Sequence, residues 1–140
     1  MQPYHIIIVD DHAAFREGLR KVLGEKKDFR IVGEAGDGLE LLDLLNLSKL
    51  LPHMVILDIS MPKLSGIESA RRIKMTYPDI KILILTIHKE EEYLQQAISA
   101  GAEGYLLKED ASNQLFSAIE TIRGGGVYVS PLLSDKYSGR

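Results

Sequence analysis

Five polar side chains of this 140-residue chain are spaced so that they could act together in phosphoryl-transfer chemistry. Each follows or ends a short apolar run, and the five are Asp10, Asp11, Asp58, Thr86 and Lys108. Three carboxylates brought into one crevice repel one another unless a cation offsets their charge. Oxygen ligands without suitably spaced histidine or cysteine favour a hard ion, and Mg²⁺ is the hard ion that retains waters and works with phosphate groups. The set therefore predicts Mg²⁺-dependent phosphoryl transfer.

Phosphoryl transfer requires a metal ion, a fixed cation, a hydroxyl donor and a nucleophile. Lys108 can supply the cation and Thr86 the hydroxyl. An aspartate can itself be the nucleophile and form an acyl phosphate. We assign that role to Asp58, because it stands alone after a central apolar run, whereas Asp10 and Asp11 form a pair suited to metal binding. Any one of these aspartates taken alone would be interpreted as a turn or helix cap.

An alternation of two kinds of apolar segment predicts how these side chains are positioned. Strand-like runs lie at His5–Val9, Phe29–Ala35, Met54–Leu57, Ile80–Leu85 and Gly104–Leu107. Segments with helical periodicity follow each of them. The alternation predicts an α/β fold with a five-stranded parallel sheet, a doubly wound (βα)5 three-layer sandwich. The carboxyl ends of parallel strands share one edge of the sheet, where ligands bind, so the five polar side chains should meet there.

The ends of the last helix and of the domain are indicated by a run of glycines. Gly124-Gly125-Gly126 is expected to end the fifth helix, and residues 127–140 show no sustained period. We therefore predict one domain over residues 1–124 and the start of a linker over residues 125–140.

Composition narrows the class of protein. The chain has no cysteine, a net charge of -3 and uninterrupted apolar runs of only four residues. Because the apolar runs are short, we expect no membrane span, and we expect no secretory signal. The absence of cysteine fits a reducing compartment, so we predict a cytoplasmic location. A chain with this charge is not expected to bind DNA by itself, since that would need clustered Lys and Arg.

Four motifs resemble the receiver domain of two-component response regulators. They are Ile-Ile-Ile-Val-Asp-Asp-His at 6–12, Val-Ile-Leu-Asp-Ile-Ser-Met-Pro-Lys-Leu-Ser-Gly at 55–66, Ile-Leu-Thr at 84–86 and Gly-Ala-Glu-Gly-Tyr-Leu-Leu-Lys at 101–108. The resemblance extends from residue 4 to about residue 124. It implies a flavodoxin/CheY-like fold with strand order 2-1-3-4-5.

The resemblance also implies roles for the acidic residues. Asp58 would accept a phosphoryl group from a sensor histidine kinase. Mg²⁺ would be held by Asp10, Asp11, Asp58 and the backbone carbonyl of Ser60.

Thr86 and Lys108 would contact the bound phosphoryl group, and Thr86 would form a switch with Tyr105. If Thr86 moves toward the phosphate, Tyr105 could turn inward; the alternative is an ordinary half-buried aromatic on an edge strand. Ile87 is bulkier than the small residue that many receivers have after the threonine, so we expect it to narrow access to the phosphoryl group and prolong its lifetime. His88 could tune that lifetime or simply lie at the surface.

Further details resemble the LuxR/NarL-type subfamily: Asp-Asp-His at 10–12, Thr-Ile-His at 86–88 and Gly-Gly-Gly-Val-Tyr-Val-Ser-Pro at 124–131. Members usually continue into a helix-turn-helix DNA-binding domain, and the resemblance also leads us to expect a homodimer surface on helices one and five. We expect this chain to be the receiver part of such a transcription factor, in which DNA is bound only by the missing domain. The alternative is a stand-alone receiver that acts by protein contact.

A Mg²⁺-dependent phosphatase would share the carboxylates and the lysine. It would also need a second acid shortly after Asp58, and residues 59–62 are Ile, Ser, Met and Pro. We therefore expect a signalling domain with at most weak self-catalysed phosphotransfer and dephosphorylation, and not an enzyme.

Overall fold

The computed structural model describes residues 2–49 and 51–133. Its strands are β1 (Tyr4–Val9), β2 (Phe29–Ala35), β3 (Met54–Leu57), β4 (Lys81–Thr86), β5 (Gly104–Leu107) and β6 (Tyr128–Val129). Its helices are α1 (Ala13–Leu23), α2 (Gly38–Leu47), α3 (Gly66–Thr76), α4 (Glu91–Ser99) and α5 (Ala111–Arg123), and a 3-10 turn covers Lys108–Asp110.

All the strands pair in parallel in one sheet of order β2-β1-β3-β4-β5-β6. The order of the first five strands is the predicted one, and β2 lies at an edge as its polar sequence indicates. The predicted count of five strands was wrong, because β6 extends the sheet beyond β5. β3, which leads to Asp58, lies at the centre between β1 and β4.

The two faces of the sheet are covered by helices, which confirms the three-layer sandwich. Side chains of β3 alternate between two apolar clusters: Val55 and Leu57 belong to one, Met54 and Ile56 to the other. α2, α3 and α4 contribute to the first cluster, and α1 and α5 to the second. Because β3 is buried on both faces, its sequence is continuously apolar rather than alternating.

The start of α3 follows from local sequence chemistry. The Ser65 side chain accepts a hydrogen bond from the Glu68 backbone N–H at 3.2 Å, as the Ser-x-x-Glu pattern predicts. This cap begins α3 directly after the loop that follows Asp58. No helix of the described residues has the length and apolar character needed to cross a bilayer.

The glycine run ends α5 by turning the chain back instead of leading away from the domain. Gly125 has φ +97°, which a residue without a Cβ adopts at no steric cost. The Gly125 N–H donates to the Ile122 carbonyl and the Gly126 N–H to the Thr121 carbonyl, both at 2.9 Å, the pattern of a Schellman cap. Within the stretch expected to begin a linker, residues 128–130 bond to β5 and Leu133 is buried in the core. Residues 134–140 of that expected linker lie outside the described residues.

Candidate functional site

The carboxyl ends of four strands bring the predicted site residues to one edge of the sheet. Asp10 follows β1, Asp58 follows β3, Thr86 ends β4 and Lys108 follows β5. The Lys108 Nζ donates to Asp10 Oδ2 at 2.7 Å and lies 3.4 Å from Asp58 Oδ2. One ammonium group thus joins two carboxylates that come from different strands.

The carboxylates form a cluster that could hold a metal ion. Asp10 and Asp58 are 2% and 5% exposed, whereas Asp11 is exposed. Asp10, Asp11, His12 and Asp58 each offer one ligand atom, and these atoms lie within 4.8 Å of one another. Lys108 brings a single positive charge to this group. That one charge does not balance the negative charges of the nearly buried Asp10 and Asp58 together with that of Asp11. An oxygen-rich set with excess negative charge fits a hard divalent cation.

The side chain of His12 is 69% exposed. Its ring Nδ1 nevertheless lies 3.1 Å from an oxygen of Asp10 and 3.1 Å from an oxygen of Asp11. The His12 backbone N–H also donates to Asp10 Oδ1 at 2.8 Å. His12 therefore helps to hold the acidic pair while it remains accessible to water.

Asp58 is held by its own loop. The Ile59 N–H donates to Asp58 Oδ1 at 2.7 Å, which leaves Oδ2 on the side of Lys108. Gly66 packs directly against the backbone of this loop, because a Cβ at position 66 would lie 1.9 Å from the Asp58 carbonyl oxygen. The glycine after Ser65 is therefore required by close packing behind the candidate acceptor.

Thr86 and Tyr105 meet at the backbone of His88. Thr86 is fully buried, and its Oγ1 accepts from the His88 N–H at 3.3 Å. Tyr105 is 1% exposed, and its hydroxyl donates to the His88 carbonyl at 2.8 Å. Burial raises the pKa of the Tyr105 phenol, so it stays a neutral donor. Tyr105 is neither half-buried nor on an edge strand, because β6 lies beside β5 and the ring is inside. The inward position that Tyr105 was expected to reach after a movement of Thr86 is therefore already taken in this structure, and a switch role for Tyr105 stays a prediction.

The mouth of the site is bridged by His88. Its Nε2 lies 2.7 Å from the Ser60 hydroxyl, and its ring stacks on Tyr93 with centroids 4.4 Å apart. Ile87 is 70% exposed next to this bridge. No pattern in the sequence predicted the contact between Ser60 and His88, since 28 residues separate them.

Two residues of α1 that no sequence pattern assigned to the site also reach it. The Arg16 guanidinium donates to the Asp10 carbonyl oxygen and pairs with Glu34 at 3.4 Å. The Lys108 Nζ lies 4.2 Å from the centre of the Phe15 ring. The signal in the sequence that could have added Phe15 to the site is its place shortly after the acidic pair.

Comparison with known proteins gives consistent matches along the chain. Residues 6–120 match the family described as response regulator receiver domain. The transcriptional regulatory protein DegU of Brevibacillus brevis is 39% identical over 126 residues, which are 90% of this chain and 52% of that protein. The chain thus spans about half the length of this relative.

Solved structures agree. A two-component response regulator of the LuxR family from Aurantimonas sp. SI85-9A1 superposes with a TM-score of 0.91 at 32% identity, covering 99% of this chain and 97% of that one. A structure of two RcsB dimers bound to two parallel DNAs superposes with a TM-score of 0.87 at 30% identity, covering 95% of this chain and 67% of that one.

Proposed function

The chain belongs to the response regulator receiver domain family, and on that premise we propose that it accepts a phosphoryl group on Asp58 and thereby switches an attached output. The family and its named relatives are signalling regulators, so the chain is a signalling domain and not an enzyme. The observation that carries the proposal is the position of Lys108, whose ammonium lies between Asp10 and Asp58 at 2.7 and 3.4 Å. A fixed cation beside a nearly buried carboxylate is what an incoming phosphoryl group requires.

The donor is a phosphohistidine of a sensor kinase. A carboxylate oxygen of Asp58 forms the new bond to phosphorus while the bond from phosphorus to the histidine nitrogen breaks, and the electron pair leaves with that nitrogen. Lys108 offsets charge on the phosphoryl oxygens, and the Ile59 N–H fixes the other Asp58 oxygen. The aspartyl phosphate that results is an acyl phosphate, which water later hydrolyses.

Mg²⁺ fits the acidic cluster by its donor chemistry. Asp10, Asp11, Asp58 and the backbone carbonyl of Ser60 would hold it, and when bound it would supply positive charge against the phosphoryl oxygens. His12, the further member of the cluster, is a poorer ligand for so hard an ion and serves to orient the acidic pair.

The switch runs through Thr86. A phosphoryl group adds about -1.5 to -2 of charge and three strong acceptors. Without a phosphoryl group, the Thr86 hydroxyl accepts a hydrogen bond from the His88 N–H at 3.3 Å. When the hydroxyl turns toward the phosphoryl group, the loop around His88 loses this hydrogen bond. The hydroxyl of Tyr105, which donates to the His88 carbonyl, follows that loop. Coupling of this kind is typically worth about 1–3 kcal/mol.

Access to the phosphoryl group is set by Ile87 and by the bridge from Ser60 to His88. The bridge, at 2.7 Å, spans the mouth, and the exposed Ile87 side chain lies next to it. Both restrict the path by which water and small phosphodonors reach Asp58, so the aspartyl phosphate is comparatively long-lived.

The output is transcriptional. The transcriptional regulator DegU extends well beyond the match, which covers 52% of its length, and this supports a helix-turn-helix DNA-binding domain after the receiver in the full protein. We propose that the full protein works in the cytoplasm with a sensor kinase. The alternative, a stand-alone receiver acting by protein contact, is disfavoured by this relationship.

Homodimerisation uses the surface of α1 and α5. An apolar groove of about 300 Å³ lies between the two helices and is lined by side chains that include Phe15, Leu19, Val22 and Leu115. The related RcsB structure contains dimers. Lys108 lines the same groove from the site, over the ring of Phe15, so occupancy of the site can affect the dimer surface.

The proposal is tested by the intact mass of the chain after exposure to acetyl phosphate with and without Mg²⁺, and then to a phosphorylated histidine kinase domain. A Mg²⁺-dependent phosphoryl adduct that Asp58→Asn abolishes is the expected result. No adduct from either donor, or an adduct of equal yield in Asp58→Asn, contradicts it.

A further inference from the structure

β6 is the part of the fold that the proposed phosphoryl chemistry does not use. Its two residues pair with the first two residues of β5, Val129 lying opposite Tyr105. The next residue, Ser130, is fully buried although it is polar. Because buried polar groups are nearly always hydrogen-bonded, a buried serine at the point where the chain leaves the sheet is expected to have a hydrogen-bond partner.

Ser130 makes two hydrogen bonds to β5. Its backbone N–H donates to the Tyr105 carbonyl at 2.9 Å. Its hydroxyl oxygen accepts from the Leu107 N–H at 2.8 Å. The Ser130 carbonyl turns away from β5 and accepts from the Leu133 N–H at 2.9 Å. The side chain thus satisfies a backbone donor of β5 that would otherwise be buried without a partner.

The donor that Ser130 satisfies lies next to two site residues. Leu107 immediately precedes Lys108 along the chain, and it pairs with Thr86 across the sheet. Thr86 and Lys108 are the two groups assigned to the bound phosphoryl oxygens. The Ser130 hydroxyl therefore fixes the strand end from which Lys108 reaches the carboxylates.

The other side of Ser130 is tied to the switch. Pro131–Leu133 adopt helical backbone, and Leu133 is buried in the same apolar cluster as Tyr105 and Leu107. The segment at 128–133 is therefore bonded to the strand that carries the switch and packed on its side chains. It is also the segment that leads toward whatever follows the domain.

We propose that Ser130 is a positioning residue that couples phosphorylation of Asp58 to the segment at 128–133. This inference rests on the proposed function: binding of a phosphoryl group draws the Lys108 ammonium from the carboxylates toward the phosphoryl oxygens, strengthens the bond from the Leu107 N–H to the Ser130 hydroxyl, and further stabilises the segment at 128–133. Coupling is reciprocal, so an ordered segment in turn favours the phosphorylated site.

The test is amide hydrogen exchange of the complete 140-residue chain with Mg²⁺, in the absence and presence of beryllofluoride as the phosphoryl mimic. Fluorine NMR of the same samples reports whether the mimic is bound. In the unaltered chain, exchange at Leu107 and at 128–133 should slow by about 5-fold or more on binding, the lower end of typical coupling. If the mimic is bound but exchange at Leu107 and at 128–133 is not slower, the inference is overturned. This outcome can be read from the unaltered chain alone.

Three variants separate coupling from plain structural support. Ser130→Ala should still bind the mimic but lose most of the slowing at 128–133, whereas Ser130→Thr, which keeps the hydroxyl, should retain it. Ser48→Ala is the matched control, because the Ser48 hydroxyl donates to the Leu44 carbonyl at the end of α2, away from β5.

A merely structural role would raise exchange in Ser130→Ala by the same factor with and without the mimic, and that result contradicts the inference. Absence of a bound fluorine signal in the unaltered chain would instead mean that the proposed phosphoryl site is wrong, and the inference that rests on it fails with it.

Discussion

Replacing Lys108 by Met isolates the charge that the site depends on. Met keeps an unbranched apolar stem but removes the ammonium that lies 2.7 Å from Asp10 and 3.4 Å from Asp58. The side chains of Lys108, Asp10 and Asp58 are 14%, 3% and 7% exposed, so solvent screens them only partly. The variant therefore leaves two nearly buried carboxylates facing each other.

The size of the effect follows from Coulomb's law. The ligand atoms of the acidic cluster lie within 4.8 Å of one another. Two like charges about 5 Å apart repel by about 3 kcal/mol at an effective dielectric constant of about 20, and without the Lys108 ammonium this repulsion is no longer offset. Removing one partner of a buried ion pair typically costs about 3–5 kcal/mol. We expect the free energy of unfolding of Lys108→Met at neutral pH without Mg²⁺ to fall by about 3 kcal/mol.

Mg²⁺ should reverse most of this loss. The site of the variant carries one more unit of negative charge, and Mg²⁺ no longer competes with an ammonium for the Asp10 oxygen. Mg²⁺ should therefore bind the variant at least about tenfold more tightly than the unaltered chain, and its binding should stabilise the folded variant by mass action. Urea unfolding followed by circular dichroism, with and without Mg²⁺, measures both effects.

Lys89→Met is the matched control. The Lys89 Nζ pairs with Glu109 at 2.7 Å, but both side chains are about half exposed, so little change in stability is expected. If Lys108→Met unfolds at the same urea concentration as the unaltered chain, or responds to Mg²⁺ no more strongly, the role given to Lys108 is refuted.

Three other substitutions test separate parts of the structure. Gly66→Ala should lower the free energy of unfolding by about 3 kcal/mol or more, because the new Cβ has no room. Gly18→Ala should raise the free energy of unfolding by about 0.5–1 kcal/mol, because a Cβ at this helical position meets no atom within 4 Å. Equal effects of the two variants in urea unfolding would contradict the close packing at Gly66. Tyr105→Phe keeps the ring but loses the 2.8 Å hydrogen bond to the His88 carbonyl, so stability should fall by about 1 kcal/mol, and an unchanged urea midpoint would show that the bond contributes nothing. Ile87→Ala should speed the decay of the aspartyl phosphate, followed by intact mass over time; an unchanged lifetime removes the gating role of this exposed side chain.

The elements that carry the site could be predicted from local sequence because each has its own physical signature. Four consecutive apolar residues before Asp58 indicate a strand buried on both faces, and β3 is such a strand. The Ser65 and Glu68 pair predicts the start of α3, and the structure has that hydrogen bond. The order of the first five strands came from the family resemblance and is confirmed.

The sixth strand could not be predicted in this way. Two residues are too few to show the alternation of a strand, and three successive glycines suit a flexible linker as well as a helix cap. Only tertiary contacts decide between the two: Leu133 is buried in the core, and Ser130 bonds to β5. The inward position of Tyr105 depends on the same contacts, because β6 makes β5 an interior strand.

Contacts between distant segments account for the rest. Ser60 and His88 meet across 28 residues of sequence. Lys108 lies over the ring of Phe15, on a helix near the opposite end of the chain. Such pairs leave no periodicity in the sequence, so the assignment of access and coupling residues needed the folded chain.

We propose that Asp58, and no other carboxylate of the cluster, receives the phosphoryl group. Borohydride reduces an acyl phosphate to an alcohol and so converts a phosphorylated aspartate into homoserine, which peptide sequencing by mass spectrometry locates. After phosphorylation in the presence of Mg²⁺, homoserine at position 58 alone is the predicted result. Homoserine at position 10 or 11, or none in a chain whose intact mass shows the adduct, would contradict the account.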